Sequence, residues 1–197
     1  MNFPIFDSHV HIFPDNIAAR AVKELSERGD ITPSYDGTRA GLATSMQDAG
    51  IIGALNCPVA TRAEQVESIN AWAAANNRWP ILSLGTVHPD HADIESVLAG
   101  VRGKGLYGIK LHPEYQDFRL GEARLKPIWE TCVALNLPIV LHAGGDVAFS
   151  PPYGAEPRAL RALLDAYPSL QLVAAHMGGW RMWDDVEAEL LGCPIYL

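Results

Sequence analysis

PIVLHAGG, residues 138–145, is a short apolar run closed by a histidine and a pair of glycines. The pattern recurs as SLGTVHP at 83–89, YGIKLHP at 107–113 and LVAAHMGG at 172–179, and FDSHVHIF at 6–13 is a relative of it near the N-terminus. Aliphatic and β-branched runs of this length, bounded by Gly or Pro, read as buried strands. Histidine has no special affinity for strands. Its return at the same end of successive strands indicates a polar site built there, and imidazole is a common metal ligand near neutral pH.

Working outward from these runs, strands are expected over 3–11, 51–57, 81–87, 106–112, 138–142, 170–176 and 193–197. Helical patterns fill the intervals at 15–28, 61–77, 91–102, 122–135, 156–166 and 181–191, with a further short helix closing 29–50. The helix at 61–77 opens with a Thr-x-x-Glu capping box. Near-continuous apolar strands alternating with amphipathic helices give an α/β fold with a parallel sheet. An open doubly wound sheet binds its ligand at one switch point between two strands, whereas every strand of a barrel ends at a common mouth. The successive intervals His88–His112, His112–His142 and His142–His176 are 24, 30 and 34 residues, the lengths of βα units. A TIM-type (β/α)8 barrel is therefore expected. Seven strands are counted, the last reaching Leu197, while barrels of this type take roughly 250 residues. The expectation is one domain over 1–197, a barrel truncated within strand seven.

Composition narrows the function. The chain has 197 residues, 48% of them hydrophobic and 19% charged, which suits a soluble globular protein. Its 15 basic and 23 acidic residues give a net charge of −8 with no basic block, which argues against nucleic acid as a partner. Cys57, Cys132 and Cys193 are odd in number and far apart, as expected of reduced thiols in the cytoplasm. The N-terminal segment lacks the basic stretch of a signal peptide, and no apolar run is long enough for a membrane span.

His9 and His11 lie two apart, so on a strand they share a face, as does Asp7 before them. Such a pair can bind one metal ion, with histidines of other strands completing the sphere. A catalytic zinc keeps a position open for water and lowers its pKa to about 7. A neighbouring carboxylate or histidine then moves the proton.

DSHVHIFP, GIKLHPEYQ, IVLHAGGD and VAAHMGGW, in this order, resemble the amidohydrolase superfamily, and within it the amidohydrolase-2 branch of metal-dependent TIM-barrel hydrolases. The likeness runs from residue 5 to the C-terminus. It implies that His9, His11 and His142 are metal ligands. His176 would be a catalytic residue that polarises or protonates the substrate, or a ligand of a second ion. The implied cofactor is a divalent metal, zinc ahead of manganese or iron. The family also uses an Asp at the end of strand eight, which is not among the runs read here.

Asp7 is a candidate for the catalytic machinery through a hydrogen bond that orients a ligand imidazole; a buried structural acid is the alternative. Lys110 and His112 share an inward parity and are candidates for substrate contact, and a carboxylated Lys110 bridging two ions is a further option. Trp180 and Arg181 are candidates to wall the substrate and to meet an anion. The loop 143–156 is long enough to close over a site. His88 and His91 also read as turn or surface residues, and Cys57 as a buried thiol. The function expected is hydrolysis of an amide, ester or lactone in a small molecule. Decarboxylation of a small aromatic acid and an inactive metal-binding fragment are the alternatives. A homo-oligomer would cover open strand edges.

Overall fold

A computed structural model describes residues 3–197. The chain runs β1 (Ile5–Val10), α1 (Asp15–Gly29), α2 (Arg39–Ala49), β2 (Ile51–Asn56), α3 (Val66–Asn76), β3 (Ile81–Ser83), β4 (Gly85–Thr86) and α4 (Ile94–Gly103). It continues with β5 (Ile109–Leu111), α5 (Pro113–Gln116), α6 (Lys126–Leu135), β6 (Ile139–Leu141), α7 (Pro157–Ala166), β7 (Leu172–Ala174) and α8 (Trp183–Leu190). All ladders are parallel, in the orders β1-β2-β3 and β4-β5-β6-β7. The expected strand at 81–87 is thus split at Leu84. There the chain changes partner: the Leu84 amide donates to Asn56 of β2, and the Gly85 amide to Gly108 before β5. The expected strand at 193–197 is a single parallel bridge, Tyr196 against Val173.

Packing shows that the sheet curls. Cys57, Leu84 and Val140, joined by Leu55 and Val173, form one apolar cluster although they come from strands far apart in the ladder. Such contacts require the inner faces of β2, β6 and β7 to meet, as in a barrel. The outer face carries Ile109, Leu111, Ile139, Leu141, Leu172 and Ala174, which pack with Val97, Leu98, Ile128, Trp129, Leu160 and Leu164 of the helices. Each such aliphatic side chain contributes about 1.5–3 kcal/mol on burial.

The helix signals hold with local changes. Thr38 caps α2 by accepting the Gly41 amide at 2.9 Å, and Asp93 caps α4 by accepting that of Ser96 at 3.0 Å. The capping box expected from Thr61 and Glu64 does not form. A 3-10 turn at Ala63–Gln65 precedes α3, and Gln65 Oε1 accepts from the Arg62 amide at 3.1 Å and the Thr61 hydroxyl at 3.0 Å. The extra turn of α5, with Pro113 at its first position, was not anticipated. No helix among the described residues is long and apolar enough to cross a membrane.

Candidate metal centre

β1 is irregular between Asp7 and Val10: Asp7 pairs with Ala54 and Val10 with Asn56, so β1 carries one residue more than β2. The bulge interrupts the two-residue period on which the shared face of Asp7, His9 and His11 was argued. Asp7 Oδ1 accepts the His9 amide at 3.1 Å. Its recorded bond is therefore to main chain and not to an imidazole. Val10 and Ile12 are buried against Leu42 and Met46 of α2, which sends His9 and His11 to the other side. Asn56 holds this end of β1 by accepting the Ile12 amide at 3.1 Å and donating to Ser83 Oγ at 3.0 Å. The Tyr35 hydroxyl donates to the His11 carbonyl at 2.6 Å.

His112 and His142 follow β5 and β6 at the inward parity of Lys110 and Val140. His176 follows β7 at the parity of the outward Leu172 and Ala174, and a turn corrects it. His176 and Met177 take left-handed backbone, φ 64° and 56°, a conformation that costs a non-glycine residue about 1 kcal/mol or more. The turn brings the ring back to the mouth, where it stacks on His9 with centroids 5.2 Å apart.

Five histidines form one unbroken run of rings. Centroid separations are 5.2 Å for His11–His9, 5.2 Å for His9–His176, 4.7 Å for His176–His142 and 3.9 Å for His142–His112. His176 Nε2 and His142 Nδ1 are 3.0 Å apart, close to the spacing of two nitrogens bound at about 2.0–2.1 Å to one ion. His88 and His91 stand outside: each Nδ1 accepts a backbone amide two residues on, from Asp90 and Asp93. They are turn residues.

Electrostatics keeps four of these rings, His9, His11, His142 and His176, uncharged. Burial first, then the nearby Lys110 charge, lowers His9 to about 2. Burial, then His112 and Lys110, lowers His142 to about 2. His11 keeps exposed surface, yet removal from water at the crowded rim, followed by Lys110, lowers it to about 4. Burial also lowers His176. Lys110 itself is fully buried, its Nζ has no partner, and burial brings it down to about 8. A neutral imidazole offers one nitrogen lone pair, so the donor set fits a divalent ion.

Two acids that sequence reasoning passed over join this run. Asp146 Oδ2 lies 3.3 Å from His112 Nε2 and 3.7 Å from His142 Nε2. Donor atoms of His112, His142 and Asp146 all fall within 4.8 Å of one another. Of the three ligands expected from sequence, His142 belongs to this tight group, and His9 and His11 line the rim beside it. Glu114 Oε2 is 3.4 Å from His112 Nδ1. Both acids sat in quoted motifs, HAGGD and HPEYQ; the i,i+4 spacing of Asp146 from His142 was the available signal. The Trp180 amide donates to Ala143 and its carbonyl accepts from Gly145, with the Arg181 guanidinium 4.1 Å above the Trp180 ring. Tyr115 meets His112 edge-on at 4.6 Å, with Phe149 and Arg28 against its other side. Cys57 is buried and pushed up to about 11 by that burial, an inert thiol.

The sequence profile of the Amidohydro_2 family, described as amidohydrolase, matches residues 6–196. The chain belongs to this family. Solved structures similar to this amidohydrolase include an uncharacterised TIM-barrel protein from Bordetella bronchiseptica, 16% identical with a TM-score of 0.75, covering 99% of this chain and 74% of that one. A 5-carboxyvanillate decarboxylase of Novosphingobium aromaticivorans with bound manganese is 18% identical with a TM-score of 0.66, over 89% of this chain and 66% of that one. A probable 2-pyrone-4,6-dicarboxylic acid hydrolase from Acinetobacter baumannii is 17% identical with a TM-score of 0.54, over 89% of this chain and 59% of that one. Among curated proteins there is no match. The fold of this amidohydrolase is the TIM barrel.

Proposed function

We propose that this amidohydrolase is a cytoplasmic, metal-dependent hydrolase that opens an amide, ester or lactone bond of a small molecule. The observation that carries the reading is the run of imidazoles from His11 to His112, gathered from four strand ends at one mouth, with His9 and His142 held uncharged. His9, His11 and His142 would hold one divalent ion, zinc ahead of manganese or iron. Such an ion supplies Lewis acidity and a water that ionises near neutral pH.

The chain's own residues do the rest. Asp7 fixes the bend of β1 through the His9 amide, and Tyr35 fixes the His11 carbonyl. His176, neutral beside His142, would take the proton of the attacking water and pass it to the leaving group. Trp180 with its stacked Arg181 offers the substrate a flat cationic wall, while His112 and Lys110 lie on its inner side.

Decarboxylation of an aromatic acid is the second reading. It is favoured by the aromatic residues with cationic partners at the mouth, Trp180–Arg181 and Tyr115–Phe149–Arg28.

The test is a screen of the zinc-loaded chain against small esters, lactones, amides and aromatic carboxylates. Hydrolysis should be found, should stop on chelation, and should fall by about 10²–10⁴ in kcat for His176→Asn. Release of carbon dioxide with no hydrolysis would select the second reading. Turnover that survives chelation would overturn both.

A further inference from the structure

We propose a second divalent-cation site in this chain, formed by Asp146, His112 and Nε2 of His142, and backed by Glu114. It lies beside the ion assigned to His9, His11 and His142 and shares the His142 ring with it.

The site is built so that each ligand has one anchored end and one directed inward. Asp146 Oδ1 accepts the Ala148 amide at 2.7 Å, which leaves Oδ2 facing His112 and His142. Glu114 Oε1 accepts the Gly154 amide at 2.8 Å, which leaves Oε2 facing His112 Nδ1. The His112 amide is fixed by Gln116 Oε1 at 2.9 Å, and Gln116 in turn donates to the carbonyls of Ala60 and Val87. The His112 and His142 rings stack 16° from parallel, both presenting Nε2 to Asp146.

Two buried atoms here lack partners, His112 Nδ1 and Glu114 Oε2, on side chains only 9% and 8% exposed. Buried polar atoms without partners cost about 1–3 kcal/mol each, and a cation resolves both. With an ion on Nε2, the single proton of the His112 ring must sit on Nδ1, where it points at Glu114 Oε2. That is the carboxylate–imidazole–metal arrangement in which an outer acid orients a ligand ring. Asp146 adds a carboxylate whose Oδ2 lies 3.3 Å from His112 Nε2 and 3.7 Å from His142 Nε2.

His142 serves the site with Nε2, which now meets the Gly145 carbonyl at 3.0 Å; binding exchanges that bond for the ion and sends the ring's single proton to solvent, so that with Nδ1 left for the first ion the ring acts as a bridging imidazolate. Its other nitrogen faces His176, so the ring stands between two compartments. Two imidazoles and a carboxylate suit zinc, manganese or iron, and not magnesium or calcium, which take oxygen ligands.

The experiment is a Mn²⁺ titration of the metal-stripped 197-residue chain, read as free Mn²⁺ by electron paramagnetic resonance. It is run on the wild type, His9→Ala/His11→Ala, Asp146→Asn and Glu114→Gln, each checked for folding by circular dichroism. The wild type should bind two ions. His9→Ala/His11→Ala should keep one, and adding Asp146→Asn to it should remove that one. Glu114→Gln, which keeps shape and volume, should weaken the same ion about 10- to 100-fold, and it carries the test if Asp146→Asn does not fold. A single ion lost with His9 and His11 but indifferent to Asp146 and Glu114 would overturn this site and leave the hydrolase reading standing. A single ion lost with Asp146 or weakened by Glu114→Gln, and indifferent to His9 and His11, would confirm this site and overturn the other assignment.

Discussion

Replacing Lys110 with methionine should make the metal-free protein more stable by about 3 kcal/mol at pH 7. Lys110 is fully buried, its ammonium meets no acceptor, and burial lowers it from 10.5 to about 8. Each pH unit of that drop is worth about 1.4 kcal/mol, so the charged form is penalised by roughly 3.4 kcal/mol. At pH 7 the lysine is mostly protonated in both states and nearly all of the penalty applies. Between about pH 8 and 10.5 the unfolded chain binds a proton that the native chain has released. Wild-type stability therefore rises with pH across that window, and at pH 9.5 the advantage of Lys110→Met should shrink to about 1.4 kcal/mol. Methionine fills a similar volume and needs no partner. Urea unfolding followed by circular dichroism at pH 7 and 9.5 gives both numbers. A variant less stable than wild type at pH 7, or wild-type stability that stays flat from pH 8 to 10, would refute the reasoning and show that the ammonium is compensated.

Other perturbations have equally definite outcomes. Below pH 6.5 the unfolded chain protonates histidines that the fold keeps neutral, His142 above all. Metal-free stability should fall by about 1.4 kcal/mol per pH unit from that ring alone, and equal stability at pH 7.5 and 5.5 would contradict it. Gln116→Ala should cost about 2–4 kcal/mol in chemical denaturation, because its buried side chain bonds His112, Ala60 and Val87. Tyr35→Phe should cost about 1 kcal/mol and weaken zinc binding in calorimetry, since it deletes the 2.6 Å bond to the His11 carbonyl.

The barrel was readable because its signals are local. Apolar runs such as IVL at 139–141 become strands wherever they fall, and the helices between them bury regular aliphatic stripes. The gathering of His9, His11, His112, His142 and His176 followed from their shared position at strand ends. What escaped depends on tertiary register. The register shift of β1 between Asp7 and Val10 is set by pairing with β2. The break at Leu84 arises where one run must serve two neighbours, β2 and β5. His176 lies at the wrong parity for an inward residue and reaches the mouth only through left-handed backbone. Asp146 and Glu114 sit on a loop and a single helical turn, where no periodicity announces them, and their role appears only when the loop at 143–156 folds back on α5.

The central claim is that the imidazole run at the barrel mouth holds a divalent ion through His9 and His11. Elemental analysis of the purified chain, beside the His9→Ala/His11→Ala variant, tests it most directly. The account predicts zinc, manganese or iron in the wild type and the loss of one ion per chain in the variant. A folded wild type that takes up no metal even with zinc supplied, or a variant that retains the full wild-type content, would contradict it.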